Sequence, residues 1–263
     1  MRIALLSDIH GNTIALDAVL DDIRCAGGVN EYWVVGDLVA IGPDPLGVLD
    51  RLVKLDNAYF IRGNTDRYLV TGERPPPTIN DVACDLDLLP TVLEITRSFA
   101  WTLGAIATTG WLDWLAALPT EQRLILPDGT RLLAVHAAPG TDGGDGIHPA
   151  LSDDELRTIL NGCGADLVCV GHTHWALDRS VEGIRVVNLG SVSNPYPPDL
   201  RASYVLLEAD KRAYRLEHCR VDYNREAVIA LMERMHFSGA NYAAKFMQGQ
   251  HLPRWMSQTR DLG

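Results

Sequence analysis

No two cysteines stand in a CxxC spacing, and the five present (Cys25, Cys84, Cys163, Cys169 and Cys219) are scattered and odd in number. This argues against a disulfide framework and for a reducing, cytoplasmic setting, with Cys163 and Cys169 read as small buried hydrophobes. No uninterrupted apolar run reaches the length of a bilayer span, so no membrane partner is expected. The chain enters a strand at Arg2 without a basic, apolar and small-residue progression, so no signal peptide is expected. Basic clusters are missing too: Lys and Arg group only in pairs such as Lys211-Arg212, and the formal net charge is −11. A duplex-binding protein needs a basic stripe, so bulk nucleic acid is excluded as a partner. The glycine-rich loop 140–146 lacks the Lys-Ser/Thr of a phosphate loop and any GxGxxG, so it is not a nucleotide cradle. What remains is ordinary for a globular protein: 263 residues, 47% hydrophobic and 22% charged.

What is present is a repeated grammar at strand ends. Residues 4–7 lead into Asp8-Ile9-His10, residues 33–36 into Asp37, and residues 59–63 into Asn64. Residues 132–135 lead into His136, and residues 168–171 into His172-Thr173-His174. Five predicted strands thus each end on a side chain able to bind a metal. Ligands of open α/β sheets gather beyond the carboxyl ends of the strands, so seven candidates (Asp8, His10, Asp37, Asn64, His136, His172 and His174) are expected to converge. The two histidines of Gly-His-Thr-His sit at i and i+2, which in extended chain places both rings on one side. A chain of net charge −11 can still bind phosphate when the positive charge comes from ions held by Asp8 and Asp37.

Strand–helix–strand alternation in the first half predicts parallel pairing and an α/β fold. Asn12 caps a helix running to about Ala26, with Leu16, Val19, Leu20 and Ile23 as its apolar stripe; Leu46, Leu49, Leu52 and Val53 mark a second helix. Segment 71–118 opens on Pro75-Pro76-Pro77 and carries apolar residues at helical spacing. It reads as two or three inserted helices, either packing on a sheet face or capping the site. A hairpin follows across Pro127-Asp128-Gly129, and Ser152 with Glu155 reads as the capping box of a helix over 152–161. Short consecutive strands (176–180, 184–189, 203–208 and 214–221) predict antiparallel pairing in the second half. Helices over 225–235 and 242–247 end the reading. With no repeat or linker, the chain reads as one domain, 1–263, with a helical cap-like insertion at about 71–118 and C-terminal helices at about 223–249.

The set Asp8-x-His10, Gly36-Asp37, Gly63-Asn64-Thr65-Asp66, His136 and Gly171-His172-Thr173-His174 resembles the calcineurin-like metallophosphoesterases. Its order is most similar to their small bacterial and archaeal phosphodiesterase branch, over roughly residues 2–209 and including Asn188-Leu189-Gly190-Ser191-Val192. The resemblance implies two packed, mixed β-sheets flanked by helices. It implies one ion on Asp8, His10, Asp37 and His174 and another on Asn64, His136 and His172, with Asp37 shared. The mixed nitrogen and oxygen donors suit transition ions, Mn first among Mn, Fe, Zn, Co and Ni. A water bridging two such ions ionises near neutral pH and attacks phosphorus in line, with Asp37, Asn64 and His136 at the reacting centre. Thr65 stands where many relatives carry a histidine that protonates the leaving oxygen, and threonine cannot act as that acid. His148 is a candidate substitute, while Asp66 reads as a partner of the turn. Asn64, Arg62, Arg67 and His148 are the expected substrate contacts, with surface ion pairing the competing role for the two arginines. The expected activity is hydrolysis of phosphodiester bonds in small nucleotide-type substrates. The alternatives are a phosphomonoesterase or phosphoprotein phosphatase and, outside enzymes, a metal-binding scaffold without turnover.

Overall fold

Alternation along β1 (Arg2–Leu6) sets the architecture. Ile3 and Leu5 point into one hydrophobic cluster and Ala4 and Leu6 into another, so both faces of the strand are covered. A strand buried on both faces belongs inside a layered α/β fold. The computed structural model describes residues 1–253, 255 and 256. Residues 254 and 257–263, the end of the expected 1–263 domain, lie outside the described residues.

Two five-stranded sheets form the centre. In the first, β2 (Glu31–Val35) and β3 (Ala58–Ile61) extend β1 in parallel. On its other side, β9 (Ala202–Ala209) and β10 (Tyr214–Val221) add antiparallel strands, giving the order β10-β9-β1-β2-β3. The second sheet runs β4-β5-β6-β8-β7, from β4 (Glu121–Ile125), β5 (Arg131–Val135), β6 (Leu167–Val170), β7 (Leu177–Val181) and β8 (Ile184–Asn188). Its β5-β6 and β6-β8 pairs are parallel, and its β4-β5 and β7-β8 pairs are antiparallel hairpins. Both sheets are mixed, as expected of two packed sheets. Ile3, Leu5, Trp33 and Val35 of the first meet Leu132, Ala134, Leu167 and Cys169 of the second in one buried cluster.

Helices cover the outer faces. α1 (Thr13–Cys25) starts where the Asn12 side chain accepts from the Ala15 N–H, and it buries Leu16, Val19 and Ile23. α2 (Pro45–Leu52) is capped by Asp44, with Pro45 in its first turn. α3 (Asn64–Thr71) begins directly after β3, where the sequence reads only as a turn around Asn64. Gly63 is its N-cap, and the Asp66 carboxylate reaches back to the Gly63 N–H at 2.9 Å. α4 (Ile79–Val82), α5 (Leu89–Ile106) and α6 (Trp111–Ala116) follow before β4. α5 lays Ile95, Phe99 and Ile106 into the cluster that also holds Leu16 and Leu49. On the second sheet, α7 (Asp153–Leu160) carries the Ser152–Glu155 capping box and packs Leu156 and Leu160 onto Val168 and Val170. α8 (Arg225–Arg234) and α9 (Ala240–Met247) bury Val228, Met232, Phe246 and Met247 together. Among the described residues, no helix is long and apolar enough to cross a membrane.

Candidate metal centre

Five chain segments from both sheets deliver the seven candidates to one seam. Asp8 and His10 follow β1, Asp37 follows β2, and Asn64 opens α3 beyond β3; His136 follows β5, and His172 and His174 follow β6. Five of the seven hold left-handed backbone without being glycine: Asp8 at φ 58°, His10 at 48°, Asp37 at 57°, His172 at 67° and His174 at 57°. Such residues are uncommon, and their gathering in one place is the signature of a strained functional site. It also corrects the extended-chain reading of the histidine pair. β6 ends at Val170, the backbone turns at both histidines, and the two rings serve different clusters. Glycine permits the close packing at two of these turns. A Cβ on Gly63 would overlap the Asp37 carboxylate, and one on Gly171 would overlap Ser7 and Asp8.

Each of the four imidazoles faces outward to a backbone carbonyl, which can only accept. His10 Nδ1 donates to Ala40 at 3.0 Å, His136 Nδ1 to Val35 at 2.8 Å and His174 Nδ1 to Asn194 at 2.9 Å. His172 is reversed: its Nε2 donates to Gly144 at 2.8 Å. The inward nitrogen of each ring is thereby the one open to an ion or a proton, the arrangement that orients metal ligands. His10 Nε2 and His174 Nε2 lie 3.2 Å apart, and His174 Nε2 is 3.2 Å from Asp8 Oδ1. His136 Nε2 and His172 Nδ1 both face Asn64 Oδ1, at 3.0 and 2.8 Å. Asp37 stands between these groups, its Oδ2 3.8 Å from His10 Nε2 and its Oδ1 3.4 Å from His136 Nε2. Lone pairs so directed repel one another unless a cation or a proton lies between them. Asp8 Oδ1 is buried without a hydrogen-bond partner, an orphan of the kind a metal would satisfy. Two triads, Asp8–His10–His174 and Asp8–Asp37–His136, bring ligand atoms within 4.8 Å of one another. The donors present therefore fit divalent ions.

The electrostatics of these residues agree. Burial opposes the charged form of Asp37, but the His136, His10 and His172 imidazoles outweigh it and hold its carboxyl well below the usual range. Burial likewise opposes charge on His136, and the Asp37 carboxylate overcomes it, raising the imidazole to about 10. At His10 burial prevails, lowering it to about 4. Without an ion, a proton on His136 thus plays the cation's part.

Several positioning groups carry no chemistry of their own, and most show no signal in the amino-acid pattern. Asp66 accepts from the Asp37 and Leu38 N–H groups at 2.9 and 3.0 Å, fixing the turn that presents Asp37, as its reading as a turn partner anticipated. Asn188 Nδ2 donates to Gly171 O at 2.7 Å, and Ser191 Oγ to Asp8 O at 2.9 Å; both lie in the stretch 188–192. Asp142, buried in the glycine-rich loop, is a residue that sequence reasoning missed. It takes Arg67 Nε at 3.0 and 3.1 Å and Arg62 Nη2 at 3.4 Å. The two candidate arginines are thus tied together beside Asn64. His148 is buried, stacked on Trp255 at 5.4 Å, and, among the described residues, hydrogen-bonded to none of the seven. The Thr65 hydroxyl is buried without a partner, while its N–H donates to Asp37 Oδ1 at 2.9 Å.

Comparison with known proteins agrees with this geometry. A family model described as calcineurin-like phosphoesterase matches residues 1–176. An uncharacterized protein of Methanocaldococcus jannaschii is 28% identical over 244 residues, 84% of this chain and 88% of its own length. A symmetrical bis(5'-nucleosyl)-tetraphosphatase of Nitrosospira multiformis is 28% identical over 160 residues, 60% of this chain but 48% of that protein. The crystal structure of a metallophosphoesterase from Sphaerobacter thermophilus superimposes with a TM-score of 0.71 at 25% identity, over 95% of this chain and 100% of that one. A hypothetical protein from Pyrococcus horikoshii OT3 has a TM-score of 0.76 at 20% identity, over 94% of this chain and 97% of its own, and shares the fold.

Proposed function

Since the chain belongs to the calcineurin-like phosphoesterases and is a phosphoric ester hydrolase, we propose that it cleaves phosphodiester-type linkages in small nucleotides with two divalent transition ions. The observation that carries this reading is the outward tethering of all four imidazoles, which turns their other nitrogens inward to Asp8, Asp37 and Asn64. Asp8, His10 and His174 would hold one ion, and Asn64, His136 and His172 the other. Asp37, with Oδ2 toward His10 and Oδ1 toward His136, would be shared between them. Mn is the first choice for a mixed nitrogen and oxygen set, with Fe, Zn, Co and Ni open to the same donors. When bound, the ions supply Lewis acidity that draws charge from the phosphoryl oxygens and makes a water acidic enough to attack phosphorus near neutral pH.

The chain's own residues hold and orient. Asp37 is fixed by the Thr65 N–H on Oδ1 and, through its backbone, by Asp66. Asn64 turns its carbonyl oxygen to His136 and His172, so its amide nitrogen is the branch that donates to a phosphoryl oxygen. Thr65 offers no acid for the leaving group. Linkages whose leaving oxygen departs as a stable anion therefore suit the site, which favours a nucleotide or phosphate leaving group over a simple alkoxide. The tetraphosphatase relative supports the same substrate class.

Protein reconstituted with Mn should hydrolyse bis-p-nitrophenyl phosphate and a dinucleoside tetraphosphate faster than p-nitrophenyl phosphate. Asp37→Asn and His172→Ala should each lower kcat by about a hundredfold or more while circular dichroism stays native, since each removes charge stabilisation at the reacting centre. Undiminished turnover in either variant would refute the assignment.

A further inference from the structure

The metal centre reaches solvent at two of its seven candidates. Asp8, His10, Asp37, Asn64 and His136 are buried, whereas His172 and His174 are half-buried. A substrate therefore approaches past these two imidazoles, and the groups packed beside them border its path. Beside His172 the neighbour is backbone, the Gly144 carbonyl that accepts from Nε2 at 2.8 Å. Beside His174 it is aromatic. The Tyr196 ring stacks on the imidazole at 5.8 Å and 29°, and Phe246 of α9 stands 6.2 Å from both rings.

The chain holds Tyr196 in this place. Asn194 O accepts from His174 Nδ1 at 2.9 Å, and the Asn194 N–H donates to Ser191 Oγ at 2.8 Å. The Ser193 N–H donates to Asp8 O at 3.1 Å, so the stretch that leads to the tyrosine is fastened to two candidate ligands. Pro195 and Pro197 flank the residue and narrow its backbone choices. Phe246 packs on the ring and is itself buried, with the His251 ring 4.0 Å away. Tyr196 is nonetheless only half-buried, where Tyr204 of the core is closed to solvent altogether. Part of a fixed aromatic surface is thus left uncovered beside His174.

We infer that Tyr196, backed by Phe246, is the platform on which a nucleobase of the substrate stacks while its phosphoryl group is at the metal centre. Stacking of a base on an aromatic side chain needs a π-surface on each side and tolerates any base. Both rings are uncharged, so the group they take is flat and neutral rather than a further phosphate. Because the ring is already oriented by its neighbours, little side-chain freedom is lost when a base settles on it. This deepens the proposed function by making the nucleoside a recognised part of the substrate, and it rests on the same centre.

Two measurements separate the platform from that centre. In the first, Mn-loaded wild type, Tyr196→Ala and Tyr196→Phe are compared on thymidine 5'-(p-nitrophenyl phosphate) and on methyl p-nitrophenyl phosphate. The two esters share the scissile bond and differ in the nucleoside. The ratio of kcat/KM, thymidine ester over methyl ester, should fall about tenfold in Tyr196→Ala, the scale of one base–aromatic stack. In Tyr196→Phe, which keeps the π-surface, it should stay within about twofold of wild type. In the second, adenosine, which has no phosphate, is titrated into metal-free protein and followed by saturation-transfer NMR. Its Kd should weaken by about the same factor in the alanine variant and not in the phenylalanine one. An equal loss on both esters would reduce Tyr196 to a support for His174 and overturn the platform, as would an unchanged ratio or adenosine binding that is absent or unaltered. If wild type turned over neither ester, the proposed function would fall, and adenosine binding would still decide the platform. Tyr196→Leu, which keeps apolar bulk against Phe246 without a π-surface, replaces the alanine variant if that one fails to fold.

Discussion

Burial disfavours a charged imidazole at His136, yet the Asp37 carboxylate 3.4 Å from its Nε2 raises it to about 10. At pH 7 the metal-free protein therefore keeps a proton on the nitrogen that would ligate. Loading an ion must displace it, and metal affinity must rise with pH through the neutral range. Titration of Mn into metal-free protein at pH 7, in two buffers of different ionisation enthalpy, should show release of at least one proton per chain, since the Asp8 carboxylate raises His174 as well. Heats independent of the buffer would show that His136 is not a ligand. Residue types of this kind were legible in the sequence because a carboxylate, amide or imidazole at the end of a buried strand has no packing motive. Their conformation was not. Left-handed backbone at Asp8, His10, Asp37, His172 and His174 is disfavoured for each residue alone and is enforced only by the assembled turns. Nor could the sequence pair Asp142 with Arg62 and Arg67, which stand 80 and 75 positions away.

Helices with an apolar stripe and a cap were readable one by one, as α1 and α7 illustrate with Asn12 and with the Ser152–Glu155 box. α3 escaped because Asn64-Thr65-Asp66-Arg67-Tyr68-Leu69-Val70-Thr71 has little apolar periodicity and starts on a glycine cap. Its stability comes from tertiary contacts that anchor its first turn, above all Asp66. The long helix α5 divides two roles left open by its sequence, since a stripe of apolar residues fits packing and capping alike. Phe99 is fully buried in the cluster under the first sheet, 6.1 Å from the Tyr68 ring, with the Arg74 guanidinium 5.0 Å from its ring centre. Phe99→Ala should therefore cost about 3–5 kcal/mol in urea unfolding, as for other fully buried aromatics. A cost under about 1 kcal/mol, the level of a surface substitution, would mean that α5 adds little to the core. At the exposed cap of α7, Ser152→Ala should cost about 1 kcal/mol without changing turnover, because it removes one side of a solvent-exposed box that touches none of the seven candidates.

Because the centre lies where two sheets meet, its charges are part of the stability of the whole molecule, and the pH dependence follows in sign. His10 is lowered to about 4, first by burial. Between that value and the ordinary histidine pKa of about 6.5 the unfolded chain binds the extra proton, so stability falls as pH drops through this window. His136 is raised to about 10, so the folded chain binds the extra proton between about 6.5 and 10. Its contribution is complete below the lower value and is lost as pH climbs through the upper one. Asp66, raised to about 7 first by burial, holds its extra proton in the folded chain below that value and offsets part of the His10 loss. The acid limb should therefore be the shallower of the two when thermal unfolding of metal-free protein is followed across pH 4–10 in chelator. With Mn bound, His136 carries no proton to lose, so the alkaline limb should flatten. The ion adds stability that grows with its concentration relative to its Kd, about 2.7 kcal/mol at a hundredfold excess. The acid limb should steepen in the same sample, because protons there compete with the ion for every imidazole in the seam. Parallel profiles with and without Mn would place ion binding away from these histidines.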